Sequence, residues 1–267
     1  MFSAKVIADS VGFNGSRLTT MEITYPRIVH AEMLRHRVFS RNTASSRAIP
    51  IARVIEQVRT NPFIPLHWGA AQKGMQAYAE VNSEAQADVT ALWLSQSRLA
   101  CKVAETMSQD LGLHKQVVNR LLEPWVWVTE IVTATQWSNF FHLRCHEAAE
   151  PHCQKIAYLM REAYLASTAE YLQFGEWHLP YGDVPAGTSL EDQLKVATAR
   201  LSRASYVKQD SVKSLLDDLD QHDTLAASGH WSPFEHCAQS VMHGNSNGGN
   251  FGNGWRQYRK TFSRECR

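Results

Sequence analysis

The stretch from Met75 to Leu111 constrains the chain more than any other. Tyr78, Val81, Ala85, Val89, Leu92, Leu99, Val103 and Met107 recur there at three- and four-residue steps, which predicts a long amphipathic helix closed by Gly112. Such a helix needs a core to lie on. A chain of 267 residues with 44% hydrophobic side chains can supply one, and residues 1–267 read as a single domain.

Other elements follow from local pattern. Thr19 to Tyr25 alternates like a strand, and Pro26 predicts a helix from there to Arg37. Val126 to Ala134 is rich in β-branched residues and predicts a second strand. Asn139 to Arg144 and Pro151 to Phe174 read as helices. Leu190 to Leu225 reads as two helical pieces separated near Ser205 to Asp210, and His236 to Met242 as a strand. The Gly/Asn-rich segment His243 to Gly254 reads as a mobile loop, with Trp255 onward as an arm that fold and cofactor binding do not need. No repeat at solenoid spacing is present, and long helices with a few strands predict an α+β fold with a small antiparallel sheet.

Charge and cysteine usage narrow the function. Twenty-seven Lys and Arg against 26 Asp and Glu leave a net charge of +1, which disfavours a general nucleic-acid binder. No apolar run is long enough to span a bilayer, so the chain reads as cytoplasmic. The cysteines Cys101, Cys145, Cys153, Cys237 and Cys266 form no CxxC pair and read as buried thiols.

Three clusters carry chemistry. Arg35 to Arg47, RHRVFSRNTASSR, holds Arg35, His36, Arg37, Arg41 and Arg47 with Ser40, Asn42, Thr43, Ser45 and Ser46, and no acid. Unpaired guanidinium forks with neutral hydroxyl donors suit a phosphorylated small molecule; a solvated basic turn paired with acids elsewhere has the same composition. His230 to His236, HWSPFEH, reads as a polar turn. It lacks the HExxH spacing, and Pro233 would break a helix there, so no metal is expected. Asn139 to His146, NFFHLRCH, sets Asn139 and Arg144 at the edge of an apolar turn, with Arg120 upstream in NRLLEP; a capping Asn and a salt-bridged Arg fit equally.

Taken together these clusters resemble the flavin-dependent thymidylate synthases. The RHR signature followed by seven residues and a serine is matched by Arg35, His36, Arg37 and Ser45, and the H-x-[ST]-P-F-E-H turn by His230, Ser232, Pro233, Phe234, Glu235 and His236. The N-F-x-x-L-R element is matched by Asn139, Phe140, Phe141, Leu143 and Arg144, and A-R-x-S-[FY] loosely by Arg203, Ser205 and Tyr206. In the usual members the last-named element and P-F-E-H precede RHR, so the order here resembles a circular permutation, with Thr19–Tyr25 and His236–Met242 sharing the place of one family strand. Glu32, Thr43, Thr133 and Thr135 depart from the family pattern near the base and the flavin, and Ala148, Glu150 and His152 interrupt it downstream.

The resemblance implies methylation of dUMP at C5, with FAD as cofactor, methylenetetrahydrofolate and NADPH as co-substrates, and a homotetramer with sites between subunits. It implies Arg144 and Ser45 as catalytic residues, with Ser45, Ser46, Arg47, Arg120 and Arg144 on the pyrimidine deoxynucleotide. Arg35, His36, Arg37, Asn139, Ser205, His230, Ser232 and Glu235 fall on the flavin. The same scaffold would serve hydroxymethylation of a pyrimidine nucleotide or action on dCMP, and a non-catalytic nucleotide- or flavin-binding protein would keep the pocket without turnover.

Overall fold

Alternation decides which strand sits at the centre. In the computed structural model, which describes residues 1–204, 214–242 and 249–265, β1 (Ser3–Val11) and β2 (Arg17–Pro26) form an antiparallel hairpin. Met21, Ile23 and Tyr25 of β2 point to one face and Leu18 and Thr20 to the other, and all five are fully buried. Pro26 is the last residue of this strand, opposite Trp127, and does not open the helix expected from it. A 3-10 turn, Arg27–Val29, leads instead into a short α1 (His30–Leu34). The guanidinium of Arg41 takes the carbonyls of Met33 and His36, so the chain turns before Arg37.

β3 (Ser40–Thr43) and α2 (Ile51–Thr60) follow. α3 (Ser83–Glu105) begins where Asn82 caps Ala85 N, later than Met75, and ends in a π turn that Gly112 closes at φ 68°. Beyond α4 (Lys115–Val118), β4 (Trp127–Ala134) lies between β2 and β3. α5 (Ser138–Arg144) and α6 (Pro151–Ala166) then cross back over the sheet. Glu150 caps α6 through His152 N and Cys153 N, while His152 Nδ1 meets Glu150 and its Nε2 accepts from Leu66 N. That gives the Glu150 and His152 departures a structural account. α6 stops short of Phe174 because Arg17 takes the carbonyls of Tyr164 and Ser167, and β5 (Glu170–Tyr171) then pairs with β1.

The first sheet has the order β3-β4-β2-β1-β5. Its β1–β5 pair is parallel, so the sheet is mixed and not purely antiparallel. A second sheet joins β6 (Trp177–His178), β7 (Ala238–Ser240) and β8 (Trp255–Gln257), while α7 (Leu190–Ala204) packs on β4 and on α8 (Leu215–Ser228). α8 carries a Ser214–Asp217 capping box and ends at Gly229 in the left-handed region. β2 and β7 belong to different sheets, so they do not share one strand's place.

Each face of the first sheet has its own core. Met21, Ile23, Tyr25, Val128 and Val132 meet Phe140, Ile156 and Met160 on one side. Ile131 meets Leu194, Ala197, Leu201, Phe234 and Tyr258 on the other. A hydrogen-bonded chain joins the two sheets: Ser10 Oγ to His178, His178 to Thr20 Oγ1, Thr20 to Thr133, and Thr133 to His236. Phe251 and Trp255 are buried against Leu18, Leu172 and Ala238. The tail expected as a dispensable arm is therefore core, and part of the Gly/Asn-rich segment is pinned by Phe251. No helix among the described residues is long and apolar enough to cross a membrane.

Candidate active site

The loop after β3 is the first wall of a cleft. Ala48 N donates to Ser45 O, and Arg47 N to Ser45 Oγ, which makes a tight turn with Ser45 and Arg47 exposed on it. Asn119 holds the back of this loop, its Nδ2 donating to Ser46 O at 2.7 Å and Ile49 O at 2.9 Å. Ser46 lines a different cavity, of about 250 Å³, shared with Ile49, Val54, Val126 and Trp127.

The second wall comes from the other end of the chain. Asn42 donates from Nδ2 to Leu201 O, 159 residues away, and Ser232 Oγ donates to Asn42 Oδ1, 190 residues away. Between these contacts lies a cleft of about 700 Å³ lined by Ser45, Arg47, Ser202, Arg203, His230 and Ser232, with Gln221 and Thr224 of α8 on its floor. His230 Nδ1 shares a hydrogen bond with Ser228 Oγ. Arg203 Nη2 and Arg200 Nε both bond the buried Asp218, so two cations face one carboxylate. Arg203 Nη1 is buried and has no hydrogen-bond partner among the described residues. A cleft with surplus guanidinium charge and several hydroxyls suits an anionic ligand.

A second cluster lies between α1 and α5. Arg144 Nε donates to His36 Nε2 at 2.9 Å, and Phe39 and Phe140 pack on the imidazole. An acceptor Nε2 requires the neutral ring. Burial, with Arg144 and Arg41 nearby, holds the His36 pKa down to about 4. Arg144 is thus oriented by a partner that stays uncharged near neutral pH. Arg35, Arg37 and Asn139 are exposed.

The remaining expected residues fall elsewhere. Glu235 does not line the cleft: its carboxylate pairs with Arg259 and its carbonyl accepts from Gln257. Arg120 is exposed, 3.7 Å from Glu123. Ser205 and Tyr206 lie outside the described residues. Thr133, expected near the flavin, is fully buried in the chain of hydrogen bonds between the sheets.

Sequence reading missed Asn119, Gln221 and Thr224, which carry no distinguishing spacing, and named Asn42 only as one neutral residue of the basic cluster. It also missed the buried group in which Tyr25 Oη and Thr43 Oγ1 donate to Glu130 and His30 Nδ1 meets the same phenol. Burial pushes the pKa values of Tyr25 and Glu130 up.

Among the described residues no thiol stands ready as a nucleophile: burial raises the pKa values of Cys101 and Cys145, and those of Cys153 and Cys237 to about 12. The sequence defines a thymidylate synthase-like methyltransferase. Residues 18–167, more than half of the chain, match the family described as thymidylate synthase complementing protein, and the chain belongs to that family. No curated protein sequence matches it. Among solved structures it is similar to a UMP/dUMP methylase, PolB from Streptomyces cacaoi bound with 5-Br UMP, at 14% identity and TM-score 0.49, covering 61% of this chain and 88% of that one. It is also similar to thymidylate synthase X from Helicobacter pylori with FAD and dUMP, at 16% identity and TM-score 0.39, covering 55% and 67%.

Proposed function

We propose that the chain methylates dUMP at C5 to give dTMP, with FAD as cofactor, methylenetetrahydrofolate as one-carbon donor and NADPH as reductant. The observation that carries this reading is the convergence of Ser45 and Arg47 with Arg203, His230 and Ser232 in one cleft. The first two lie inside the family match and the last three outside it. The element at Arg203, Ser205 and Tyr206 and the turn His230–His236 would then supply, after the matched region, what usual members carry before it, as a circular permutation does.

The cleft fits the phosphate-bearing part of a dinucleotide. Arg203 Nη1, which has no partner among the described residues, is a donor that a phosphate oxygen would satisfy, with Ser202, His230 and Ser232 as neutral donors beside it. Arg35 and Arg37 are free to reach the same cofactor, and a homotetramer would bring the two clusters into one site. Reduced flavin, when bound, supplies the hydride that turns the transferred methylene into a methyl group. The chain's own work is electrostatic: Arg144, held by neutral His36, steadies negative charge on the pyrimidine carbonyls as C5 is alkylated.

Two measurements test this. Titration with FAD should change flavin absorbance and fluorescence at tens of micromolar, about −6 kcal/mol; no change at that concentration removes the flavin reading. Arg144→Ala should leave FAD bound and lower turnover of dUMP at least ~100-fold, about 3 kcal/mol of transition-state stabilisation. A near-normal rate takes Arg144 out of the site. Mass analysis of products from dUMP and dCMP separates methyl from hydroxymethyl transfer, and absence of any product favours a binding protein.

A further inference from the structure

The apolar stripe that marks α3 in the sequence faces outward. α3 rests on its neighbours through Ser97, Ala100, Cys101 and Ala104, the last three packed with Val54, Ile55, Val58 and Leu122. Leu92, Leu99 and Val103 are 63%, 52% and 41% exposed. With half-buried Ala85 and Val89 and exposed Gln96, they make a seam at alternating four- and three-residue steps, the a and d pattern of a coiled coil. The seam runs roughly 27 Å at 1.5 Å per residue.

Charge along its edge says what covers it. Asp88, Ser95 and Lys102 recur every seven residues on one flank, with the acid and the base equally far from Ser95. Two such helices packed antiparallel bring this flank against itself, so a two-fold axis at Ser95 sets Asp88 of each copy beside Lys102 of the other. Glu105 does not compete for Lys102, because Arg59 holds it at 2.6 Å.

We propose that the α3 seam docks a second copy of this chain, α3 against α3 and antiparallel. Leu99 of one copy then packs on Val89 of the other, Val103 on Ala85, and Leu92 on Gln96. The inference stands apart from the flavin reading, and its test reads assembly alone.

Sedimentation velocity of the full chain over a range of concentrations provides that test. The wild type should self-associate, and Leu99→Glu should fall to the next smaller species. Asp88→Lys and Lys102→Glu should each weaken association at least tenfold, whereas an equimolar mixture of the two should recover it, because every flank pair is then of opposite sign. Circular dichroism checks that each variant is folded; if Leu99→Glu is not, the two exposed charge variants decide. A wild type still monomeric at 100 µM, a folded Leu99→Glu with unchanged assembly, or charge variants that do not rescue each other would overturn the proposal.

Discussion

A chain ending at Gly254 loses cooperative folding. Trp255 is fully buried among Leu18, Leu172, Ala238 and Phe251, and Tyr258 packs on Phe234, His222 and Phe262. Removing a buried aromatic side chain costs about 3–5 kcal/mol. Two such losses, together with the β7–β8 pairing and Arg259 on Glu235, approach the ~5–15 kcal/mol that keeps a domain folded. Gln257 adds a reason specific to the site, because its Nε2 donates to Ser40 Oγ at 2.8 Å and to Glu235 O at 3.0 Å, tying β3 to the HWSPFEH turn. Near-ultraviolet circular dichroism and urea titration of residues 1–254 are the measurements. A truncated chain that melts like the full one would show that the burial of Trp255 is immaterial.

Acid should unfold the protein well before most carboxylates are protonated. Burial lowers the pKa values of His178 and His236 from the ordinary 6.5 to about 3, and both rings are almost wholly enclosed. The unfolded chain therefore binds two more protons than the folded one between those values. Stability is complete above pH 6.5 and is lost as pH falls, at about 1.4 kcal/mol per unit for each ring. From pH 6 to 4 the pair costs on the order of 5 kcal/mol. His30 and His36, each lowered to about 4, act in the same direction. Glu130 acts against them, since its raised pKa makes the folded state the better proton acceptor. Urea midpoints at pH 7, 6, 5 and 4.5 should fall steadily, and an unchanged midpoint over that range would mean the rings are not held neutral by the fold.

Long elements were legible because each carries its own periodicity. Thr19–Tyr25 lies within β2, Val126–Ala134 exceeds β4 by one residue, and the two helices flanking residues 205–210 lie close to the expected bounds. β3 and β5 to β8 have two to four residues each, and pairing partners far along the chain decide them. β1 escaped notice because its side chains are mostly half-buried, which leaves little contrast between its faces.

α3 shows a different failure. Its buried side is Ser97, Ala100, Cys101 and Ala104, small residues that barely register as hydrophobic, so in the sequence the stripe of larger residues reads as the core face. For the tail, Gly/Asn-rich chain ahead of Trp255 hid a strand. In the site, Ser45, Arg47, His230 and Ser232 were recognisable from motif resemblance, and their meeting in one cleft followed from that alone. Asn42 and Asn119, which hold the walls, are ordinary asparagines until the fold places carbonyls beside them.

The bond from Gln257 to Ser40 spans 217 residues. During synthesis, β3 and the loop bearing Ser45 leave the ribosome long before the segments that wall their cleft exist. Until those segments emerge, the cleft cannot close. A nascent chain thus has no ligand to help it fold, and early termination products are inert toward whatever the finished cleft binds. Closure of so distant a contact also predicts slow folding, since loop entropy must be overcome before the pairing is rewarded.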